Sequence, residues 1–201
     1  MATRSQGKLR ELRALFAGEG IAVIGLDEAG IPVSSEEDDI ECYDSFEENA
    51  LAKARYFRRR ASGFAVIADD SGLEVSALKN APGVRSRRWS GRTDLSGAAL
   101  DAANNEMLAH RVRTVRDRSA RFVCAAAFAA DDREVVAIGE VDGTITDAPS
   151  GGDGFGYDPY FHVTELGMTL GVATVDAKER VSHRGRAFRA LLARLRADGL
   201  L

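Results

Sequence analysis

The chain has 201 residues, long enough for one large domain or two closely packed lobes around a real core. A hydrophobic share of 45% with 29% charged residues is that of a soluble globular protein, and a formal net charge of −4 excludes the broad basic face of a general nucleic-acid binder. Two cysteines, Cys42 and Cys124, form no CxxC pair, which excludes a disulfide framework or structural zinc site and points to a reducing compartment.

The start MATRSQGKLREL is polar at once, with no apolar signal region, and no stretch approaches the roughly 20 apolar residues of a membrane span. The cytosol is therefore expected. Over residues 8–16 the apolar Leu9, Leu12, Leu15 and Phe16 recur at helical spacing, until Gly18 and Gly20 stop the pattern. Residues 21–26 read as a short buried strand, and residues 27–44 as an acidic loop. Ser45-Phe46-Glu47-Glu48 matches a capping box that opens a helix to about Arg60, with Gly63 beyond it. Residues 64–68 form a continuous apolar run that predicts a buried strand ending in Asp69-Asp70-Ser71-Gly72. Residues 73–78 continue as extended chain, and Ala81-Pro82-Gly83 is a turn.

Asp94 is placed to cap a helix running to about Val112. Residues 121–129 and 134–146 read as a hairpin joined at Asp131 and Asp132. A Gly-rich loop over residues 150–156 leads to Tyr157-Asp158-Pro159 and a short strand, residues 160–163. The last helix opens near Ser182 and puts Phe188, Leu191, Leu192 and Leu195 on one face. Strands and helices alternate irregularly, so the fold class is α/β with a mixed central sheet flanked by helices, and no boundary divides the single domain of residues 1–201.

Several segments carry chemistry. Asp69 and Asp70 at the end of a buried strand, with Ser71 beside them, suit magnesium, which takes one or two carboxylates and completes its shell with phosphate and water. Strand-to-turn junctions are also rich in Asp, Ser and Gly on purely structural grounds. Thr3-Arg4-Ser5-Gln6-Gly7-Lys8, ahead of a helix, can cradle phosphate, although it is not a Walker A loop. Glu41 is either a second metal carboxylate or a solvated acid, and Glu48 fits the capping box better than a ligand role. Gly154-Phe155-Gly156-Tyr157-Asp158-Pro159 offers an aromatic wall with a fixed acid beside it. Lys178, His183 and Arg184 gather donors at the start of the last helix, where cations oppose the helix dipole and need another reason to be there. Only four lysines stand against 23 arginines, so each lysine marks a place where a compact ammonium is wanted.

In order and spacing, ATRSQGKLREL, SFEENALAKAR, AVIADDSGLEV, APGVRSRRWSG, GDGFGYDPYF and VSHRGRAF resemble the inosine/xanthosine triphosphate pyrophosphatase family, also called Ham1-like. The match runs from residue 2 to about residue 188. The resemblance implies a two-lobed α/β homodimer with a central cleft for nucleotide and magnesium. It also implies hydrolysis of inosine, deoxyinosine and xanthosine triphosphates to monophosphate and pyrophosphate, with small-molecule purine nucleotides as the partners and neither nucleic acid nor membrane. By motif position, Asp70 is the implied catalytic carboxylate with Asp69 beside it, and Glu41 and Asp70 are the metal ligands. Thr3, Arg4, Ser5, Gln6, Gly7, Lys8, Lys53 and Ser71 would hold the triphosphate. Phe155 would stack on the purine, with Gly156, Tyr157, Asp158, Lys178, His183 and Arg184 around the base. Three of the four lysines fall on these positions.

The chain departs from the family at three places: Ser5 stands where Asn is usual, Ala177 where an acid commonly precedes the lysine, and residues 166–174 fit poorly. The resemblance also implies a buried strand ahead of Thr3, so translation is expected to begin upstream of Met1. The expected reaction is attack of water on the α-phosphorus, with Asp70 or the coupled Asp69/Asp70 pair taking the proton. A related Maf-like pyrophosphatase is disfavoured by GFGYDP and SHRG, and a non-catalytic nucleotide sensor by the intact Asp69, Asp70 and Glu41.

Overall fold

The computed structural model describes every residue except Ser62, Asp132 and Asp153, and the side chain of Glu179. Among the described residues the helices are α1 (Gln6–Ala17), α2 (Phe46–Arg58), α3 (Gly97–Val112), α4 (Val175–Val181) and α5 (His183–Ala197). The strands are β1 (Val66–Val75), β2 (Ser119–Ala130), β3 (Arg133–Ile145), β4 (Phe161–Val163) and β5 (Met168–Thr169). They form one sheet in the order β1-β2-β3-β4-β5. The β3/β4 and β4/β5 pairs are antiparallel, with Thr144 opposite His162 and His162 opposite Thr169. The fold is α/β, and no described helix is long and apolar enough to cross a membrane.

The chain falls into two compact units. The first comprises Met1–Asp70, Cys124–Gly139 and Arg184–Leu201. Its core joins Leu9, Leu12 and Phe16 of α1 to Phe188, Leu191, Leu192 and Leu195 of α5 against Ile67, Cys124, Ala126 and Phe128. Phe16 and Phe188 meet edge to face, 5.9 Å between centroids. Short side chains on β2 leave room for these larger ones, each contributing about 1.5–3 kcal/mol when fully buried.

The second unit comprises Ser71–Val123 and Glu140–His183. Leu73 and Val75 of β1, Leu108 and Val112 of α3, and Phe122, Ile145, Phe161 and Val163 of the other strands make its core. Phe122 and Phe161 pack edge to face at 4.6 Å.

The elements mostly stand where the hydrophobic pattern puts them, with four differences. Residues 21–26 form no strand. The Ile21 N–H bonds Phe16 O, the Arg13 guanidinium bonds Val23 O and the Met1 ammonium bonds Ile24 O, so a helix end, a side chain and the chain's amino group take up that backbone. β1 does not end at the acids but runs through Asp69 and Asp70 to Val75, while Phe64 lies outside it and exposed. Asp94 does not cap α3, whose N-cap is Ser96; it takes both ends of the Arg92 guanidinium instead. Residues 166–174 conceal β5 and lead into α4, so Lys178 lies on a separate short helix. The turn at Asp131 and Asp132 and the loop position Asp153 fall partly outside the described residues.

Candidate active site

In the first unit the acids of β1 meet cations from three helices, α1, α2 and α5. Asp69 is completely buried, and its Oδ2 accepts from Lys8 Nζ at 2.9 Å and from Arg184 Nε at 3.2 Å. Burial alone would raise its pKa, but Lys8, Arg184 and Lys53 outweigh it and hold the carboxyl far below the usual range. The Asp69 Oδ1 is buried with no partner among the described residues. Arg184 opens α5, is itself buried, and also donates to Glu11 at 3.1 Å. Burial opposes its charge, and Asp69 more than restores it.

Asp70 has the opposite environment. Burial, then the negative charge of Glu41, push its pKa up to about 7. Asn49 of α2 donates to Asp70 Oδ2 at 2.9 Å, and its amide is fixed in turn by both backbone groups of Tyr43. Lys53, one helical turn further along the same face, donates to Glu41 at 2.5 Å and to the Asp69 carbonyl at 3.3 Å. Burial works against the Lys53 charge, but Glu41 and Asp69 raise its pKa above the ordinary value. Two adjacent residues of one strand are thus held with opposite affinities for a proton, a division often found where acid and base chemistry are separated.

The start of α1 stands beside this cluster through Lys8. Ser5 is its N-cap, accepting from the Lys8 N–H at 3.4 Å, and Thr3 Oγ1 accepts from the Ser5 N–H at 3.1 Å. Gln6 and Gly7 form the exposed first turn, where N–H groups have no helical partner and favour an anion. Arg4 turns elsewhere. Its guanidinium donates five bonds, to Glu37 Oε1 and Oε2, Asp27 Oδ1, Ile31 O and Pro32 O. These exhaust its N–H groups, so Arg4 ties down the acidic segment and has no donor left for a phosphate. Ser45 caps α2 by accepting from the Glu48 N–H at 3.2 Å, but the Glu48 side chain takes the Ser45 hydroxyl at 3.0 Å, where a capping box would have it take the Ser45 backbone N–H.

In the second unit, Phe155 is 70% exposed, which leaves its ring open to a stacking partner. It stands between Gly154 at φ +106° and Gly156 at φ +59°. A Cβ on Gly154 would lie 2.2 Å from Asp158 Oδ2 and 2.6 Å from Lys178 Nζ, so only glycine admits the Asp158–Lys178 pair there. That pair is 3.3 Å apart, and Asp158 Oδ2 also accepts the Phe155 N–H at 3.4 Å. Burial raises the Asp158 pKa, with Lys178 opposing. Tyr157 is buried and donates its hydroxyl to Ser86 O at 2.8 Å, which makes it a support of the loop. Burial pushes that phenol up. The His183 ring stacks on Phe122 at 5.0 Å. Ser71 follows Asp70 on β1, half-buried.

The residues picked from sequence therefore sort into Thr3 to Lys8, Glu41, Lys53, Asp69, Asp70 and Arg184 in one unit, and Ser71, Phe155 to Asp158, Lys178 and His183 in the other. Arg184, expected beside the base residues, is paired with Asp69 and Glu11. Sequence reasoning missed Asn49 and Glu11. Asn49 had a signal: it is a polar side chain on the stripe of α2 that otherwise buries Phe46, Ala50 and Ala54. Among the described residues no three His, Cys, Asp or Glu side chains gather to cage a metal. Glu41 and Asp70, close enough to raise the Asp70 pKa, fit magnesium, which needs only one or two carboxylates when phosphate supplies the other oxygens.

The profile of the Ham1 family matches residues 1–194. The chain is similar to the dITP/XTP pyrophosphatase of Burkholderia pseudomallei (strain K96243), 46% identical over 97% of this chain and 91% of that one. It is 43% identical to the dITP/XTP pyrophosphatase of Acidobacterium capsulatum over 97% of this chain and 96% of its relative. Among solved structures it resembles the Staphylococcus aureus Ham1 protein, with a TM-score of 0.83 and 36% identity over 98% and 97% of the two chains. The Mycobacterium abscessus nucleoside-triphosphatase / dITP/XTP pyrophosphatase is also similar, with a TM-score of 0.75 and 40% identity over 96% of each chain.

Proposed function

The chain belongs to the Ham1 family, and on that premise we propose that it hydrolyses non-standard purine nucleoside triphosphates, deoxyinosine and xanthosine triphosphates among them, to monophosphate and pyrophosphate. The observation that carries the reading is the pair of neighbouring carboxylates on β1, Asp69 held as an anion by Lys8 and Arg184 and Asp70 held by Asn49 beside Glu41. Asp69 is committed to its cations, which leaves Asp70 to take a proton from attacking water.

Water attacks the α-phosphorus and Asp70 accepts its proton, with Asn49 fixing the orientation of the carboxylate. Asp69 does not exchange protons in this scheme; it anchors Lys8 and Arg184. Lys8, Lys53 and the first-turn N–H groups of α1 hold the triphosphate and stabilise charge as pyrophosphate leaves. Glu41 and Asp70 would hold magnesium, which when bound neutralises phosphate charge and lowers the pKa of water.

At the base end Phe155 offers its ring for stacking, and the Lys178 ammonium offers N–H groups to a 6-keto purine. An adenine 6-amino group would face those donors unpaired, at a cost of about 1–3 kcal/mol. We place the enzyme in the cytosol, in keeping with two free cysteines, one of them exposed, and take the homodimer from the family resemblance alone.

A pyrophosphate-release assay with ITP, XTP, GTP, ATP and UTP and magnesium tests the reading. ITP and XTP should exceed ATP by at least about tenfold. Equal rates for ITP and ATP would overturn the base-end assignment, and no release from any nucleotide would overturn the activity.

A further inference from the structure

On the base-end reading above, we propose that Asp101 and Asn105 of α3 are positioning residues for purine recognition, clamping the Gly156 backbone so that Phe155 is presented to the base in one orientation. The Gly156 N–H donates to Asp101 Oδ2 at 2.8 Å, and Asn105 Nδ2 donates to the Gly156 carbonyl at 2.8 Å. The two side chains are four residues apart on one helix face and so reach the same loop together.

The need for a clamp follows from the loop itself. Phe155 is largely exposed, so core packing does not set its ring. Its direction depends on the torsions of Gly154 and Gly156, both in the left-handed region and both flanking it. Glycine gives such a backbone many alternatives. Asp158, through the Phe155 N–H and Lys178, restrains the loop from one side only. The bonds from α3 fix the peptide groups on both sides of the Gly156 Cα.

α3 is itself a firm support. Leu108 and Val112 bury in the second core, and Asn104 ties the helix to the 87–90 segment through the Ser90 N–H at 2.8 Å and Arg87 O at 3.1 Å. Asn105 also carries a buried Oδ1 with no hydrogen-bond partner among the described residues. An unsatisfied buried acceptor costs stability. Asn105 is thus a poor choice for stability alone, in keeping with a role in holding the loop.

Steady-state hydrolysis of ITP and ATP by Asp101→Ala, Asn105→Ala, Asp101→Asn and Phe155→Ala tests the proposal, alone and with each alanine change placed in the Phe155→Ala background. Each clamp alanine should raise KM for ITP by about threefold to tenfold, the worth of one hydrogen bond, leave kcat within about twofold, and narrow the ITP/ATP ratio. Asp101→Asn keeps an acceptor for the Gly156 N–H and should restore the parental KM. In the Phe155→Ala background the clamp changes should alter KM less than about twofold, because the ring they orient is gone. If Phe155→Ala raises KM and neither clamp alanine does, or if the effects simply add, the clamp is wrong. If Phe155→Ala itself leaves KM and the ITP/ATP ratio untouched, the base-end reading fails first. Should Asp101→Ala not fold, Asn105→Ala and Asp101→Asn still decide the matter.

Discussion

Two neighbouring aspartates differ in electrostatic environment, and the difference yields tests of opposite sign. Burial and the neighbouring Glu41 charge raise the Asp70 carboxyl from the ordinary aspartate value to about 7 in the folded protein. Between those values the folded state binds more protons than the unfolded one, so this group costs stability as pH rises. The loss amounts to about 3–5 kcal/mol by the free-energy equivalent of a pKa difference. Asp70→Asn removes the charge and keeps the shape. In the absence of metal it should melt higher than the parent at pH 8 and coincide with it near pH 4, and with magnesium it should release no pyrophosphate. A lower melting temperature at pH 8, or near-normal turnover with saturating magnesium, would place the base elsewhere. Asp69 works in reverse: its depressed pKa makes its pairing stabilising above the ordinary carboxylate range, with loss only at strongly acid pH. Arg184→Ala removes one of its two cations and leaves Glu11 without one partner, so urea unfolding should show a loss of about 3–5 kcal/mol. A stability unchanged within error would mean that Lys8 alone satisfies the buried acid.

At the scale of elements, what was legible in the sequence is what local pattern determines. The stripe of leucines and Phe188 placed α5, the Ser45 cap placed α2, and the apolar run before Asp69 placed the start of β1. β1 was read too short because Asp69, Asp70 and Gly72 resemble a turn. Asp69 is tolerated inside the strand because Lys8, Lys53 and Arg184 arrive from remote segments to offset the burial of its charge, and no local window contains that information. α4 went unread because it spans seven residues, too few for periodicity to emerge. The Gly154 position was legible as a glycine and not as a contact. Its missing Cβ makes room for Asp158 and Lys178, which the chain brings together from 20 residues apart. Gly154→Ala should therefore raise KM for ITP by at least about tenfold, since it displaces a charge-assisted hydrogen bond. Phosphate-end function should survive, so kcat at saturating ITP should stay within a few-fold. An unchanged KM would show that Asp158 and Lys178 need no close packing against the loop.

For the molecule as a whole, the acids and phosphate-binding groups draw on one core and the aromatic loop on the other. Phe188 anchors the first core and Phe161 the second, both fully buried, and truncating either to alanine should cost about 3–5 kcal/mol. On the proposed function, nucleotide binding supplies a further readout. An inosine triphosphate analogue with a methylene bridge between the α- and β-phosphorus is not cleaved, and with magnesium it should stabilise the fold by about 2.7 kcal/mol at a hundredfold excess over Kd. For a chain of this size that corresponds to a rise in Tm of about 5–10 °C. The corresponding adenosine analogue at the same concentration should give a much smaller rise, because Lys178 presents donors to its 6-amino group. Lys8→Ala should lower the shift for both analogues alike, whereas Lys178→Ala should bring the two shifts together. Equal shifts for inosine and adenosine analogues on the unaltered protein would remove the base end from recognition altogether, and leave selectivity, if it exists, to the chemical step.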